Sequence, residues 1–239
     1  MSFSKKSIRA PDSGRVLKIW TEWHALAVGL ALLGVLSDLP IALFPAVAAL
    51  SFLVLILQFR TCWTPIGRFG SANAITLFRL FGVFSLFSML DQSPAWIGWL
   101  ALFVFAMDAV DGWVARKWRL SSEFGEFFDK EVDAFFLLTL CLLLYTGGRS
   151  GIWILIPGLL RYLFVACLKF IEARQIKEPR SRFGCWSYFL TMFSLISAFI
   201  VPDTVYEALT LAMTFVLCAS FADTIRRMQW KPDLLHEPE

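Results

Sequence analysis

Apolar stretches of about 20 residues recur along the whole chain, and they constrain the fold more than any other feature. An α-helix of that length is what is needed to cross a hydrocarbon core ~30 Å thick. Composition agrees, because 58% of the 239 residues are hydrophobic and only 17% are charged. The sequence therefore predicts an all-α, polytopic integral membrane helical bundle. Eight stretches qualify, at 21–38, 40–58, 73–91, 95–114, 127–146, 151–170, 186–202 and 204–222.

The first pair of stretches differs from the other six. The first carries Glu22 and His24 near its start and is followed by Pro40, so this pair could instead form a shallow hairpin. About eight transmembrane helices is the expected number.

The basic residues predict the orientation of the chain, because Lys and Arg accumulate in loops on the cytoplasmic side. If the N-terminus is inside, all but three of the 22 Lys and Arg residues fall in or beside a tail or loop on that side. We therefore expect both termini to be cytoplasmic, in a cell inner membrane. The net charge of +3 reflects this bias, and we expect no nucleic-acid partner. The three exceptions are Arg79, Arg149 and Arg161.

Four aspartates lie where two spans approach the cytoplasmic face. Asp108 and Asp111 are near the end of one span, and Asp129 and Asp133 are near the start of the next. Spacings of three and four residues place each pair on one face of its helix. At ~1.5 Å per residue the two pairs reach matching depths. We expect the four carboxylates to converge in a pocket that opens to the cytoplasm.

Four converged carboxylates need compensating positive charge. An all-oxygen ligand set suits Mg²⁺ or Mn²⁺, and two such ions would balance four acids. Sites of this kind bind phosphate oxygens and stabilise phosphoryl displacement. Gly112 and Gly125 would let a ligand approach the backbone, and Arg116 offers a planar fork for phosphate. The structural alternative is a glycine-packed helix pair whose acids are neutralised by loop Lys and Arg.

The spacing of these residues matches a family pattern. Residues 108–133 read D-x-x-D-G-x-x-A-R-x(8)-G-x-x-x-D-x-x-x-D, which resembles the CDP-alcohol phosphotransferase (CDP-alcohol phosphatidyltransferase) family. Upstream, "SANAITLFRL" resembles the N-x-x-T-x-x-R start of the family's first core helix, with Asn73, Thr76 and Arg79 at the fixed positions. With the six spans that follow residue 73, the resemblance covers about two-thirds of the chain.

The resemblance implies a six-helix membrane enzyme, usually a homodimer, that moves a phosphatidyl or other substituted phosphoryl group from a CDP-linked donor to an alcohol and releases CMP. CDP-diacylglycerol is the expected donor, with its lipid tails lying between helices, and membrane lipids are expected partners. Asp133 would contact a metal and act as the general base. The other implied metal ligands are Asp108, Asp111 and Asp129, and the implied CDP-binding residues are Asn73, Thr76, Gly112, Arg116 and Gly125.

The resemblance also divides the chain. Residues 73–222 would be the six-helix catalytic core, and 21–58 would be two additional N-terminal transmembrane helices. Residues 1–20 would form a cytoplasmic basic N-terminal tail, and 223–239 a cytoplasmic C-terminal tail.

The acceptor alcohol is less constrained. Family members that make phosphatidylglycerol phosphate often read F-G-x-x-L-D-P-x-A-D-K, whereas this chain reads "FGEFFDKEVDAF", which weakens a glycerol phosphate assignment. A phosphorylated acceptor needs further cations. The candidates are Arg161, Arg174, Lys177, Arg180 and Arg182.

These basic residues, and Arg79, also have simpler interpretations. Arg161 could pair with an acid elsewhere in the bundle, and the loop residues could be inner-leaflet charge. Arg79 could extend to the membrane surface or assist phosphate binding.

Two other functions would also use membrane-embedded acids. A membrane prenyltransferase of the UbiA type holds pyrophosphate through aspartates and Mg²⁺, but would not predict this glycine, arginine and aspartate spacing. A cation carrier should have acids spread toward the outer face, yet Asp38, Asp91 and Asp203 are expected in loops.

Overall fold

The computed structural model describes residues 13–60, 63, 69–118, 122–170 and 182–230. Within these ranges all regular secondary structure is helical, with eight α-helices and no strand, so the predicted all-α class is confirmed. A single 3-10 turn, Ile152–Ile154, precedes the sixth helix. The helices are α1 Ser13–Leu36, α2 Leu43–Gln58, α3 Ser71–Phe87, α4 Pro94–Trp118, α5 Glu123–Thr146, α6 Leu155–Phe170, α7 Arg182–Ile200 and α8 Asp203–Trp230.

Several helices extend past the apolar stretches that predicted them. Helix α1 begins at Ser13, inside the segment expected to be a tail, and α8 continues to Trp230. Helix α4 ends at Trp118 and α5 begins at Glu123, so the acidic region is helical at both ends. Hydropathy marks only the residues that favour hydrocarbon, whereas helical hydrogen bonding continues through polar residues.

The helix bundle suits a membrane. Three helical segments are long and apolar enough to cross one, namely Val16–Leu36, Arg182–Ile200 and Val205–Arg227, and four further apolar helices are shorter. Large apolar side chains remain exposed on the bundle surface, including Trp23 and Trp186 at 65% each. Such a surface belongs against lipid. The chain is an integral membrane protein, and the number of crossings stays a prediction.

Helix α5 is the centre of the bundle. Nearly every side chain from Ala134 to Leu144 is buried. Helices α3, α6 and α7 pack against it, and rings from α2 reach it as well, since Phe44 stacks on Phe135 and Phe52 meets Phe128 edge-on. The two additional N-terminal helices therefore cover part of the same helix that carries Asp129 and Asp133.

Polar contacts join α1 to α2 inside the apolar bundle. The Nδ1 atom of His24 lies 2.8 Å from Ser51 Oγ, and Trp20 Nε1 donates to the Ser51 carbonyl at 3.1 Å. The imidazole also stacks on the Trp20 ring. These contacts satisfy buried polar atoms that would otherwise be costly in hydrocarbon.

Arg149 has a structural role at the end of the bundle opposite the predicted cytoplasmic face. Its guanidinium donates to the carbonyls of Ala198 at 2.9 Å and Val201 at 3.2 Å, at the end of α7. The Tyr206 hydroxyl donates to the Arg149 carbonyl. The last carbonyls of a helix lack partners within the helix, so this arginine supplies them.

Candidate active site

One face of α3 carries polar residues into the bundle. Asn73, Thr76 and Arg79 follow one another at intervals of three and are 3%, 2% and 1% exposed. On the same helix, Phe78 and Phe81 are more than half exposed. Helix α3 therefore points its polar side toward α4 and α5, and the arginine does not extend to the membrane surface.

The start of α5 is held by a side-chain cap. Ser122 accepts a hydrogen bond from the Gly125 backbone nitrogen at 3.0 Å, and its own hydroxyl donates to the Trp63 carbonyl at 2.7 Å. A serine in this position satisfies one of the unpaired amides of the first turn. The cap fixes where the helix begins and therefore the orientation of Asp129 and Asp133, about two and three turns later.

Three aspartates meet at this end of the bundle. Asp108 from α4 and Asp129 and Asp133 from α5 each offer a carboxylate oxygen, and these oxygens lie within 4.8 Å of one another. The three side chains are 34%, 38% and 23% exposed. We call these three residues the acid cluster. The predicted convergence holds for them, whereas the side chain of the fourth aspartate, Asp111 on α4, lies outside the described residues.

Arg79 stands inside the acid cluster. Its Nη1 lies 2.9 Å from Asp108 Oδ1 and 2.7 Å from Asp129 Oδ1, and its Nη2 lies 2.5 Å from Asp133 Oδ1. The spacing from Asn73 and Thr76 predicted the face on which this arginine lies. Neither of its two expected roles included contact with the aspartates, because spacing within one helix does not say what packs opposite.

Helices α3 and α7 each pack against both α4 and α5. Helix α7 contributes Tyr188, whose hydroxyl donates to the main-chain carbonyl of Asp133 at 3.4 Å. Nothing in the sequence marked this tyrosine, because it belongs to no motif and lies 55 residues from its partner.

Two of the predicted CDP-binding residues are in close contact beside the acid cluster. A Cβ atom on Gly125 would lie 2.6 Å from Asn73 Oδ1 and 3.0 Å from Ser122 Oγ, so no larger residue fits without displacing them. Asn73 Nδ2 donates to the Trp63 carbonyl at 3.1 Å, and Thr76 Oγ1 donates to the Ala72 carbonyl at 3.2 Å. The surroundings of Gly112 and the side chain of Arg116, both on α4, are outside the described residues.

Two of the five candidate acceptor residues, Arg161 and Arg182, lie in the described part of the chain. Arg161 on α6 places Nη2 2.8 Å from Glu131 Oε1, and the two side chains are 14% and 1% exposed. The alternative expected for Arg161 was that it pairs with an acid elsewhere in the bundle, and this contact is of that kind. Its acceptor role stays a prediction. Arg182 is exposed at the start of α7. Arg174, Lys177 and Arg180 lie outside the described residues.

The acid cluster fits a divalent cation. Carboxylate oxygens are the ligands that Mg²⁺, Mn²⁺ and Ca²⁺ prefer, and the three oxygens are close enough to share one ion. The acids are also partly exposed, so a ligand could reach them. The donor set by itself does not distinguish among these ions.

Comparison with known proteins agrees with the site. The family model described as CDP-alcohol phosphatidyltransferase matches residues 69–224, which contain every described residue of the acid cluster together with Arg79 and Tyr188. The CDP-diacylglycerol--glycerol-3-phosphate 3-phosphatidyltransferase of Mycoplasma pneumoniae is 31% identical over 110 residues, 44% of this chain and 48% of that protein. The protein of the same name from Escherichia coli K12 is 27% identical over 95 residues, 38% of this chain and 52% of that protein.

The chain thus spans about half the length of the curated relatives it matches. The comparisons do not support the prenyltransferase alternative. The family match extends over more than half of the chain and includes the acids that the structure brings together. This chain belongs to the CDP-alcohol phosphatidyltransferase family.

Proposed function

We propose that this chain transfers a phosphatidyl group from a CDP-linked donor, CDP-diacylglycerol, to an alcohol and releases CMP. The observation that carries the proposal is the acid cluster, in which three carboxylates from two helices lie within 4.8 Å at a partly exposed position. Ordinary packing between membrane helices does not require three converged acids, because each is costly in hydrocarbon.

The reaction needs a base and a charge-stabilising site. The acceptor hydroxyl oxygen attacks the phosphorus of the phosphatidyl group, and a new P–O bond forms as the bond to the CMP phosphate oxygen breaks. Asp133 takes the proton of the attacking hydroxyl. Its side chain is 23% exposed and lies one turn beyond Asp129, so an acceptor can reach it while the donor is held nearby.

We further propose that the cofactor is two ions of Mg²⁺ or Mn²⁺, held by Asp108, Asp111, Asp129 and Asp133. When bound, such ions neutralise pyrophosphate charge and stabilise the leaving oxygen. The close oxygens of the acid cluster support this proposal. Asp111 would be the fourth ligand, since it lies three residues after Asp108 on α4.

We propose that residues near the acids on α4 and α5, together with residues of α3, bind the nucleotide. Gly125 gives a backbone surface without a side chain, and Asn73 lies directly against it. Both residues would then face the cytidine diphosphate. The full proposed set is Asn73, Thr76, Gly112, Arg116 and Gly125.

For the acceptor, two observations point in different directions. Both relatives are named for glycerol 3-phosphate. In this chain, however, Lys130 and Ala134 stand where family members that make phosphatidylglycerol phosphate often have proline and lysine. We propose a small alcohol or phosphorylated alcohol that enters from the cytoplasm, with glycerol 3-phosphate the first to test. Its candidate contacts remain Arg161, Arg174, Lys177, Arg180 and Arg182.

The placement of the enzyme follows from the same proposal. Residues 73–222 would be the catalytic core of a homodimer in the inner membrane, with residues 21–58 added before it. Both tails, 1–20 and 223–239, and the active site would face the cytoplasm. The concentration of basic residues on one side supports this orientation.

The proposal is tested by CMP release from the full chain purified in detergent. CDP-diacylglycerol is supplied with Mg²⁺ or Mn²⁺ and a panel of acceptors, namely glycerol 3-phosphate, inositol phosphate, serine and glycerol. We expect release with one acceptor class and none in EDTA. Failure to release CMP with any acceptor, from protein that binds CDP, would contradict the proposed reaction.

The general base is tested separately with Asp133→Asn. This variant should lose CMP release while it retains metal-dependent CDP binding, because Asp108 and Asp129 remain. Full activity in Asp133→Asn would exclude the residue as the base without excluding the transfer reaction.

A further inference from the structure

Arg79 pairs with three acids in the interior of the bundle. The side chain is 1% exposed, and its two terminal nitrogens contact acids on two other helices. One side chain on α3 thus ties α4 to α5. An arginine buried in this way must be compensated, but a single carboxylate would be enough for that purpose.

Without any cation, repulsion among its carboxylates would destabilise the acid cluster. Its carboxylate oxygens lie within 4.8 Å of one another in a largely apolar bundle, where like charges repel more strongly than in water. The three carboxylates and one guanidinium leave a formal surplus of two negative charges. That surplus can hold a divalent cation, while the guanidinium already lowers the repulsion.

We infer that Arg79 is the resident cation of the acid cluster: it assembles Asp108, Asp129 and Asp133 in the metal-free protein and stays in place when a divalent metal binds. It is a positioning residue, and its contact with Asp133 fixes the orientation of that carboxylate. The inference does not depend on the transferred group.

The geometry of the contacts explains why arginine stands at this position. Nη1 serves Asp108 and Asp129 while Nη2 serves Asp133, so the planar fork reaches three acceptors at once. A lysine offers a single nitrogen that cannot occupy both positions. Every one of the three contacts uses an Oδ1 atom, so each carboxylate has a second oxygen that Arg79 does not use.

The test is thermal unfolding of the full chain in detergent, without donor or acceptor, in EDTA and in Mn²⁺. Arg79→Gln should unfold about 5 °C or more below wild type in EDTA. Added Mn²⁺ should restore most of that loss, because it replaces the missing positive charge, whereas wild type should gain less from the metal. Arg79→Lys should fall between the two. An equal loss with and without Mn²⁺ would overturn the inference.

Arg161→Gln is the matched control, because it also removes a largely buried guanidinium that pairs with an acid on α5. Its loss of stability should be the same in EDTA and in Mn²⁺. Rescue of this variant by Mn²⁺ to the same extent would show that the metal effect is not specific to Arg79, and would also overturn the inference.

A second variant covers the case in which Arg79→Gln does not fold in EDTA. Arg79→Gln/Asp133→Asn removes one charge of each sign, and should be more stable in EDTA than Arg79→Gln alone. If it is no more stable, then Arg79 acts through packing rather than charge. This test measures only unfolding. Absence of CMP release would therefore contradict the proposed function without affecting the inference about Arg79.

Discussion

Helix α5 separates two sites where arginine meets acid, and they differ in composition and exposure. On one side Arg79 contacts three carboxylates that are 23% to 38% exposed. On the other, Arg161 contacts Glu131, which is 1% exposed. The second site joins one charge of each sign away from solvent, as a structural ion pair does. The first site brings together more acids than its one arginine can neutralise, at a position that a ligand can reach. Such an excess of acid does not stabilise the fold by itself and is typical of a cation site.

The largest difference between the two sites should appear in activity. Asp129→Asn removes a carboxylate of the acid cluster, and we expect CMP release to fall on the order of 10³-fold, as when a preorganised charge-stabilising group is lost. Glu131→Gln makes the same chemical change two residues away on the same helix. In protein that folds, it should keep CMP release within about tenfold of wild type. Similar losses in both variants would remove the functional distinction between the sites.

The second difference should appear in stability. Arg161→Met leaves Glu131 buried without its partner, and we expect a loss of about 3–5 kcal/mol in the free energy of unfolding. The double variant Arg161→Met/Glu131→Met removes both charges and should recover most of that loss, because apolar residues suit the interior of the bundle. Chemical denaturation in detergent measures both. A double variant as unstable as the single one would show that the pair has a role beyond charge compensation.

The acid cluster could be predicted from sequence because its determinants are local. Spacings of three and four residues fix a helix face, and the loop between α4 and α5 is short enough to bring the two faces to one depth. The same reasoning separates the two sites of α5. Residue 131 lies about 200° around the helix from residue 129, so Glu131 had to point away from the acids.

The contacts of Arg79, Arg161 and Tyr188 could not be predicted in this way. Each contact joins two different helices, and the paired residues are 29 to 55 positions apart in the sequence. The shape of the whole bundle decides which helices pack against each other, and hydropathy along the chain does not carry that information. The long run of buried apolar residues on α5 is a further example. Such a run indicates a central helix, but it does not indicate which helices surround it.

Two glycines in close contacts, Gly125 of α5 and Gly158 of α6, differ in what a larger residue would meet. A Cβ on Gly158 of α6 would lie 2.7 Å from Leu138 Cα, so Gly158→Ala should push α6 away from α5. We expect a loss of about 1–3 kcal/mol in stability, the usual effect of overpacking. In Gly125→Ala the new methyl group meets the Asn73 and Ser122 side chains instead of backbone.

The expected result for Gly125→Ala is a weaker affinity for CDP with a smaller change in stability than Gly158→Ala. Thermal unfolding and CDP binding measured on both variants separate the two effects. If Gly125→Ala binds CDP as wild type does, the glycine serves packing on this side of α5 as well.

The smallest expected effect concerns two tyrosine hydroxyls, one on each side of α5. Tyr188 Oη donates to the Asp133 carbonyl at 3.4 Å, a long hydrogen bond that orients the main chain beneath the proposed base. Tyr162 Oη is buried on α6 with no hydrogen-bond partner among the described residues. Tyr188→Phe should lower CMP release about threefold, in keeping with a bond worth roughly 0.5–1.5 kcal/mol.

Tyr162→Phe should leave CMP release unchanged and hold or slightly raise stability, because it removes a buried polar atom that gains nothing from the fold. Initial rates at saturating acceptor, with the unfolding temperature of each variant, distinguish the two tyrosines. Equal effects on rate would mean that the Tyr188 hydroxyl contributes only as general packing. A loss confined to Tyr188→Phe would extend the site to α7, since the orientation of Asp133 would then depend on a helix that carries none of the acids.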